Sequence, residues 1–452
     1  METKKLSKRT LVAYACGDFA SHLCWTFVGG YLSVFYTDVV GLTPAVTAAI
    51  LLIARIWDGI NDPMFGAIAQ RTNTKKGRFR PYIFYGAPLL ALFSMLTFTT
   101  FGSGNTVIIW AAVTYIGCGM LYTVVNLSYG SLSTVMTTDP EAISQLNSWR
   151  MMGTNVSAII LNAITAPLLM RLSGDAGYTT GGYIKVAVLY AICAVPLFYF
   201  VYANCKEVVQ VSESAYKVSI GKSIRSVLTN KPLMLIFCFQ LMGTTAIFGR
   251  RGVMVYYMIY NLQRYDLIAI FMSLPSVFTV LGILITKNSI IRVGKKKMAA
   301  AGYIGAGITL ILIYIAGMTI GYTNISLLLV LHCILGFFDF AAPIPLAMIV
   351  DAINYEEERK GIRSDGLSYA TVSLSTKLGN AFGVSGALMV MGATGYVANV
   401  QQSVEVINGI NLTTNLIFGI LFLLCLIPLS LYPLNEKRSA EILASLERKR
   451  NK

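Results

Sequence analysis

The sequence predicts an all-α membrane protein with twelve transmembrane helices in two six-helix bundles and both termini in the cytoplasm. Three observations lead to this prediction: the composition, the spacing of apolar runs and the distribution of basic residues. Of the 452 residues, 55% are hydrophobic and 13% are charged, whereas soluble domains contain about 25% charged residues. Such a composition excludes a disordered chain and a disulfide scaffold.

Apolar runs long enough to cross a bilayer, which takes roughly 20 residues, occur twelve times along the chain. The first six lie at about 11–36, 44–69, 81–101, 105–130, 150–172 and 183–204. The second six lie at about 233–260, 267–286, 298–320, 325–350, 367–392 and 410–433. Their length indicates spanning helices, because a membrane barrel would show short alternating strands instead.

Basic residues identify the cytoplasmic side of the predicted helices. Twenty-eight of the 36 Lys and Arg residues fall in six segments that a twelve-span chain places on one face. These are the N-terminal segment, 70–80, 205–232, 287–297, 359–363 and the tail from 435. Positive residues are retained in the cytoplasm, so both termini are expected there. The expected location of the protein is the plasma membrane, of bacterial type. The net charge of +15 thus reflects topology and predicts no nucleic-acid partner.

The longest polar connection, 205–232, divides the twelve spans into two equal halves. The predicted bundles are 1–204 and 233–434, followed by a basic cytoplasmic tail at 435–452. Each half carries a basic segment directly after its second span. Two six-helix halves with matched loops predict the major facilitator architecture.

Two carboxylates in the second span form a candidate cation site. Asp58 and Asp62 are one helical turn apart, so their β-carbons lie about 5–6 Å apart on one face. Unpaired carboxylates at this distance repel each other, and a bound cation or proton removes the conflict. Asn61 and, from the fourth span, Thr123 can add neutral oxygen ligands, which suit a hard cation such as Na⁺.

Two basic residues within spans are candidates for coupling. Lys377 lies near the middle of the eleventh span, and Arg55 precedes the second-span carboxylates by one turn. A charge at this depth needs a partner, so Lys377 could pair with Asp58 and Asp62 or compete with the cation for them. The alternative is a structural salt bridge from Arg55 and Lys377 to the carboxylates, with no cation bound.

A second set of residues suits the binding of a sugar. Asp18 shares a face of the first span with Trp25, and Arg150 opens the fifth span. A carboxylate and a guanidinium hydrogen-bond to paired hydroxyls, and an indole ring covers the apolar sugar face. The alternative is an Asp18–Arg150 pair with a structural role only. In the seventh span, Arg250 and Arg251 either snorkel to the outer interface or contact an anionic substrate.

Several short motifs run in order through most of the chain. They are Phe35-Tyr36-Thr37-Asp38, Trp57-Asp58-Gly59-Ile60-Asn61-Asp62-Pro63, Gly77-Arg78-Phe79-Arg80-Pro81, Tyr122-Thr123-Val124-Val125-Asn126, Lys377-Leu378-Gly379 and Gly395-Tyr396-Val397. Together they resemble the glycoside–pentoside–hexuronide:cation symporter family of the major facilitator superfamily. Melibiose permease and the glucuronide permeases belong to this family.

The resemblance implies a symporter driven by Na⁺, H⁺ or Li⁺, with this ion as a co-substrate and with no other cofactor. It assigns the cation site to Asp58, Asn61, Asp62 and Thr123, and the sugar pocket to Asp18, Trp25, Tyr122, Asn126 and Arg150. It also assigns to Lys377 the link between the two sites. Asn126 stands where melibiose permease has an aspartate, which favours a pentoside or another glycoside over a galactoside.

The expected function is cation-coupled import of a glycoside or pentoside by a monomer surrounded by lipid. A hexuronide symporter is the first alternative, because Arg251 could bind an acidic sugar. A lipid or drug transporter of the same architecture is the second, although it has less need of paired carboxylates. A membrane enzyme is not expected, because the sequence has no metal-ligand cluster, G-x-S-x-G motif or nucleotide loop.

Overall fold

A computed structural model describes residues 6–72, 74, 76–137, 139–174, 178–208, 228–361 and 365–450. Within these ranges the regular structure is helical, and no strand occurs. This confirms the predicted all-α class.

The first half of the chain forms six long helices. They are α1 (Lys8–Val34), α2 (Pro44–Arg71), α3 (Arg80–Leu96), α4 (Asn105–Met136), α5 (Pro140–Ser173) and α6 (Thr180–Asn204). A π-helical turn, Phe35–Val39, extends α1. The hydroxyls of Ser7, Thr43 and Thr179 accept hydrogen bonds from the first-turn N–H groups of α1, α2 and α6. Such N-caps satisfy donors that have no partner inside a helix.

The second half is more often interrupted. Its helices are α7 (Lys231–Tyr256), α8 (Ile268–Val293), α9 (Lys295–Thr319), α10 (Ile325–Phe338), α11 (Ile344–Lys360), α12 (Asp365–Ala393), α13 (Val404–Asn411), α14 (Ile417–Leu424), α15 (Leu426–Leu431) and α16 (Glu436–Arg450). π-Helical turns follow α7 at Tyr257–Asn261 and join α13 to α14 at Leu412–Leu416. A 3₁₀ turn, Tyr265–Leu267, precedes α8.

The tenth predicted span is interrupted near its middle. The run at 325–350 divides into α10 and α11, with a 3₁₀ turn at Asp339–Ala341 between them. Pro343 and Pro345 follow this turn, and proline lacks the N–H that would continue an α-helix. A 3₁₀ stretch in the middle of a helix often marks a hinge or a strained sequence, and Asp339 opens this one.

Nine segments in the described part of the chain are long and apolar enough to cross a membrane. They comprise α2, α4 to α9, the pair α10 and α11, and the region α13 to α15. Helices α1, α3 and α12 lie in the other predicted spans, and α3 has only 17 residues. The count of twelve crossings and the cytoplasmic side of the termini stay predictions.

Contacts divide the chain into two compact units. The first unit comprises Met1–Glu213, Arg264–Ser273 and Val397–Gln401, and the second comprises Ser214–Gln263, Leu274–Tyr396 and Gln402–Lys452. Helices α1 to α6 belong to the first unit, and the second contains α7, α9 to α16 and most of α8. The predicted connection at 205–232 falls mainly outside the described residues, so the predicted bundle boundaries stay a prediction.

The first unit is organised around α1, which packs against α5 and α6. At its C-terminal end, four buried aromatic rings form one cluster. Phe27 lies 4.3 Å from Phe98, and Phe35 lies 4.9 Å from Tyr183, measured between ring centroids. Aromatic pairs at such distances add about 0.5–1.5 kcal/mol to the burial of their area. They hold α1 and therefore orient the polar residues in its N-terminal half.

In the first unit, a carboxylate caps the third helix. Glu207 accepts hydrogen bonds from the backbone N–H groups of Arg78, Phe79 and Arg80 at 2.7, 2.8 and 2.9 Å. Gly77 has a φ of +108°, and a β-carbon there would lie 2.6 Å from the carboxylate. The negative charge at the helix N-terminus is stabilised by the helix dipole.

The second unit repeats this arrangement at its own third helix, α9. Glu436 accepts a hydrogen bond of 2.5 Å from the Lys295 N–H. Gly294, with a φ of +101°, precedes it, and a β-carbon at this position would meet the Glu436 carboxylate. The repetition agrees with two halves built on one plan.

Helices α7 and α12 of the second unit are in close contact because glycines line their interface. A β-carbon at Gly249 would lie 2.8 Å from the Gly383 carbonyl oxygen. A β-carbon at Gly383 would lie 2.7 Å from the Gly249 nitrogen and would also meet the Thr245 carbonyl oxygen. Small residues allow transmembrane backbones to approach in this way.

Replacing Gly383 with alanine is expected to destabilise the protein by about 1–3 kcal/mol, the usual cost of overpacking. The added methyl group would meet backbone atoms of α7, which cannot rotate away. Thermal unfolding of the purified protein measures the effect. Gly386→Ala on the same helix is the matched control, since a β-carbon there has no atom within 4 Å. Equal unfolding temperatures for the two variants would contradict the packing argument.

Candidate functional site

Ten of the predicted site residues lie in the first unit, on four helices. α1 carries Asp18 and Trp25, and α5 carries Arg150. The other predicted residues of this unit are on α2 and α4, namely Asp58, Asn61, Asp62, Tyr122, Thr123 and Asn126. Arg55, a predicted coupling residue, also lies on α2. The packing of α1 on α5 and of α2 on α4 brings together positions far apart in sequence.

Asp18 and Arg150 form a direct ion pair. Arg150 Nε lies 3.1 Å from Asp18 Oδ2, and the Thr154 hydroxyl donates to the same oxygen at 2.6 Å. The Asp18 side chain is 8% exposed and that of Arg150 30%, so the guanidinium keeps donors that can reach a ligand. A β-carbon at Gly130 would lie 3.1 Å from Arg150 Nη1. A large side chain at position 130 would therefore displace the guanidinium.

Next to this pair, two aromatic rings form a stack. The Trp25 and Tyr122 ring centroids are 4.2 Å apart with an interplanar angle of 19°. Asn126 Nδ2 donates to the Tyr122 hydroxyl at 3.1 Å and lies 3.3 Å from Ser21 Oγ. The hydrogen bond orients the Tyr122 ring and keeps the stack in place.

Arg55 connects the aromatic stack to the acidic residues of α2. Its guanidinium carbon lies 4.6 Å from the Trp25 ring centroid, a cation–π contact. Its Nη1 atom lies 3.3 Å from Asp58 Oδ2. The side chains of Arg55 and Asp58 are 12% and 10% exposed, so water screens their attraction weakly. One side chain thus contacts both the aromatic and the acidic part of the site.

The two carboxylates of α2 have different surroundings. Asp62 Oδ1 accepts a hydrogen bond of 2.8 Å from the Thr123 hydroxyl. Asp58 is buried, and a β-carbon at Gly119 would lie 2.7 Å from its Oδ1 atom. Asn61 is buried on the same helix, and its Nδ2 atom has no hydrogen-bond partner among the described residues. Four side chains thus place oxygen atoms along one helical turn and the adjoining part of α4.

The remaining predicted residues, Arg251 and Lys377, belong to the second unit. Arg251, on α7, lines a cavity of about 240 Å³ within that unit. Lys377, on α12, is half-buried, and its predicted link to the α2 carboxylates stays a prediction. Arg250 does not snorkel, because its Nε and Nη2 atoms are buried, without a hydrogen-bond partner in the described part of the chain.

Sequence reasoning missed three residues of the first-unit site. Thr154 follows Arg150 by one helical turn and donates to Asp18, and Ser21 contacts Asn126. Their helical spacing from Arg150 and Asp18 is a signal that could have identified both. Gly119 makes room for Asp58, and only the packing of α2 on α4 reveals that role.

Comparisons with known proteins identify the family. The chain matches the family described as MFS/sugar transport protein over residues 13–436. It is 30% identical to an isoprimeverose transporter of Lactiplantibacillus pentosus, over 97% of this chain and 91% of that protein. It is 28% identical to a putative glycoside/cation symporter, YagG, of Escherichia coli K12, over 96% of this chain and 94% of that protein.

Solved structures support the same fold. The inward-open xylose transporter XylE of Escherichia coli superimposes with a TM-score of 0.63 at 15% sequence identity, covering 96% of this chain and 98% of that one. At this identity the likeness concerns the fold alone. The family match spans nearly the whole chain, and the apolar helices are those of a multi-pass plasma-membrane protein. The chain therefore belongs to the glycoside–pentoside–hexuronide:cation symporter family of the major facilitator superfamily.

Proposed function

We propose that this cation-coupled sugar symporter imports a glycoside or pentoside by alternating access, with Asp18 and Arg150 binding the sugar and Asp58 and Asp62 binding the ion. The observation that carries the proposal is the position of Arg55. Its guanidinium contacts the Trp25 ring and the Asp58 carboxylate at once. The two halves of the site are therefore connected through one charged side chain.

The sugar half combines the two contacts that carbohydrates require. The free donors of Arg150 and the second oxygen of Asp18 can bind neighbouring hydroxyls, since charge-assisted hydrogen bonds are the stronger ones. The faces of the Trp25–Tyr122 stack offer an apolar surface for a sugar ring. Because Arg150 is already neutralised by Asp18, this half does not need an acidic sugar. That balance supports a neutral glycoside or pentoside as substrate.

The negative charges on α2 support the proposed cation half of the site. Asp58 and Asp62 lie one turn apart on α2, and Asp58 forms an ion pair with Arg55. A second positive charge would relieve their repulsion. Na⁺ would take oxygen ligands from the carboxylates, Thr123 and Asn61, whereas H⁺ would bind one carboxylate. The ion is a co-substrate and crosses the membrane with the sugar.

Coupling arises from competition for Asp58. A cation that binds Asp58 weakens its attraction for Arg55, and the Arg55 guanidinium then moves relative to the Trp25 ring. Ion binding thus changes the surface offered to the sugar, and linkage requires the reverse effect of equal size. Lys377 is proposed as the second competitor for these carboxylates. The protein is proposed to act as a monomer in lipid, without a catalytic step.

Uptake into proteoliposomes tests the proposal. Labelled methyl α-xylopyranoside, methyl α-galactopyranoside and a phenyl glucuronide are supplied under separately imposed Na⁺ and pH gradients. We expect accumulation of a neutral glycoside under one of the two gradients. Equal downhill flux with and without gradients would indicate a facilitator instead. Preferential uptake of the glucuronide would favour an acidic-sugar symporter. If no sugar inhibited transport by the protein, a lipid or drug transporter would be favoured.

Replacing Arg55 with glutamine is expected to uncouple transport. Accumulation should fall about tenfold, since losing an ion pair of this kind costs about 1–3 kcal/mol, while downhill sugar flux continues. Uptake measured with and without the driving gradient gives the ratio of accumulation to downhill flux. Arg171→Gln, at the exposed end of α5, is the matched control and should behave as wild type. A proportional loss of downhill flux and accumulation would show that Arg55 has no role in coupling.

A further inference from the structure

The second unit contains a cavity that the proposed sugar and cation sites do not use. Its volume is about 240 Å³, and it lies between α7, α8, α9, α12 and the break that separates α10 from α11. Polar residues of the lining are Gln240, Thr244, Arg251, Asp339 and Thr376. The Tyr303 ring and the Phe248 side chain form apolar parts of the wall.

Gln240 leaves a hydrogen-bond acceptor without a partner in this cavity wall. Its side chain is buried, with 7% of its surface exposed, and Nε2 donates to Thr376 Oγ1 at 3.3 Å. The Thr376 hydroxyl in turn donates to the Val372 carbonyl at 3.3 Å, so Thr376 must accept from the amide nitrogen. This orders the amide and leaves Gln240 Oε1 buried without a donor. Burying an acceptor in this way is unfavourable, unless a ligand or water supplies the donor.

Two charged residues lie on the same cavity wall without forming a direct ion pair. Asp339 is within electrostatic reach of both Arg251 and Arg250, yet its carboxylate and the Arg251 guanidinium are not in contact. Each keeps its hydrogen-bonding capacity toward the cavity. Asp339 sits in the 3₁₀ turn Asp339–Ala341, so its position depends on the proline-induced break between α10 and α11.

The chemistry of these groups selects the ligand. Gln240 Oε1 and an ionised Asp339 accept hydrogen bonds, whereas Arg251 only donates. A carboxylate or sulfonate would satisfy Arg251 but would be repelled by Asp339 and would leave Gln240 unsatisfied. A sugar hydroxyl both donates and accepts, so neighbouring hydroxyls can satisfy all three groups. The wall therefore suits a neutral polyol.

The size of the cavity limits the ligand further. Pockets for drug-sized molecules occupy about 300–1,000 Å³, and this cavity is smaller. Its volume suits one sugar ring with its hydroxyls. Tyr303, held between Phe239 and Phe422 with ring centroids at 4.4 and 5.4 Å, supplies a rigid aromatic side to the cavity.

From these observations we infer that the cavity lined by Gln240, Arg251 and Asp339 is a second carbohydrate subsite, which takes one neutral sugar ring and helps to set sugar specificity. The inference rests on the proposed sugar transport. Gln240 and Asp339 accept from ring hydroxyls, Arg251 donates to a hydroxyl oxygen, and the Tyr303 side of the cavity faces an apolar part of the ring.

Deoxy analogues of the sugar test this subsite. Methyl α-xylopyranoside and its three monodeoxy derivatives compete for transport in proteoliposomes that contain wild type or Gln240→Met. Methionine keeps the length of the side chain, but its thioether sulfur is only a weak hydrogen-bond acceptor. In wild type, at least one deoxy analogue should bind about tenfold more weakly than the parent. In Gln240→Met the apparent affinity for the parent sugar should fall about tenfold. The difference in affinity between the parent and that same analogue should disappear.

Asp339→Asn provides a second variant that keeps the shape of the side chain, and it should also lower the apparent affinity for the parent sugar. Thr309→Val, a change at a buried α9 threonine outside the cavity lining, is the matched control and should leave apparent affinity unchanged. Thermal unfolding identifies any variant that fails to fold. If both cavity variants bound the parent sugar and its analogues as tightly as wild type does, the cavity would hold only water. Transport itself would then be intact. Failure of wild type to transport any sugar would overturn the proposed function, and the subsite with it.

Discussion

Replacing Asp62 with asparagine is expected to abolish gradient-driven sugar accumulation while sugar exchange across the membrane continues. The substitution keeps the size of the side chain and its contact with the Thr123 hydroxyl, which lies 2.8 Å from Oδ1. It removes one of the two negative charges that we propose attract the ion. Losing a charged partner of this kind costs about 2–5 kcal/mol, so the apparent ion affinity should fall by roughly 30-fold or more.

Counterflow and gradient-driven uptake, measured on the same proteoliposomes, separate the two effects. Asp266→Asn is the matched control, because its carboxylate forms an exposed pair with Arg264, and exposed pairs contribute little. The control should accumulate sugar as wild type does. If Asp62→Asn also accumulated sugar normally, the α2 carboxylates would have a structural role only. If it lost counterflow as well, the ion and sugar sites would not be separable.

A second large effect is expected at the Asp18–Arg150 pair. Neutralising either partner leaves the other partly buried without its counter-charge, which typically costs about 3–5 kcal/mol. Asp18→Asn and Arg150→Gln should therefore each lower thermal stability and abolish sugar transport. Arg150→Lys should keep the charge but lose the planar arrangement of donors, and with it most of the sugar affinity.

The double variant Asp18→Asn with Arg150→Gln distinguishes binding from structure. Removing both charges restores electrical balance, so thermal stability should return toward wild type. If the pair binds sugar, transport should stay abolished in the double variant even though its stability is restored. Recovery of transport together with stability would mean that the pair only holds α1 against α5. Thr154→Val, which removes the third member of this group, should weaken sugar affinity to a smaller extent, because one hydrogen bond to a charged group contributes about 1.5–3 kcal/mol.

Helix positions were predictable because apolar length is a local property of the chain. The run at 183–204 corresponds to α6, and the acidic pair of α2 shares a helix face because its members are four residues apart. The break at Asp339–Ala341 was not predicted, because the flanking apolar residues continue through it. The prolines at 343 and 345 were the signal that could have revealed it.

Partner choice was less predictable than helix position. Asp18, Trp25, Arg55 and Arg150 were all identified in the sequence as candidates, but their spacing along the chain cannot show which of them meet. The Arg55–Asp58 pair follows from a spacing of three residues on α2, whereas the contact of Arg55 with Trp25 depends on how α2 packs against its neighbours. The free acceptor of Gln240 depends on the orientation of one amide, which only its contact with Thr376 reveals.

The sequence by itself determined the membrane class, the approximate helices and the residue types of the candidate site, because hydropathy, charge bias and helical spacing act over short stretches of chain. Only the tertiary structure decided that Arg55 connects the aromatic stack to Asp58 and that Asp339, Arg251 and Gln240 share one cavity. The Arg55–Trp25 contact, and the grouping of Asp339 with Arg251 and Gln240, join residues on different helices or helix breaks. They arise from helix packing, in which glycines such as Gly119 and Gly383 set how closely two backbones approach.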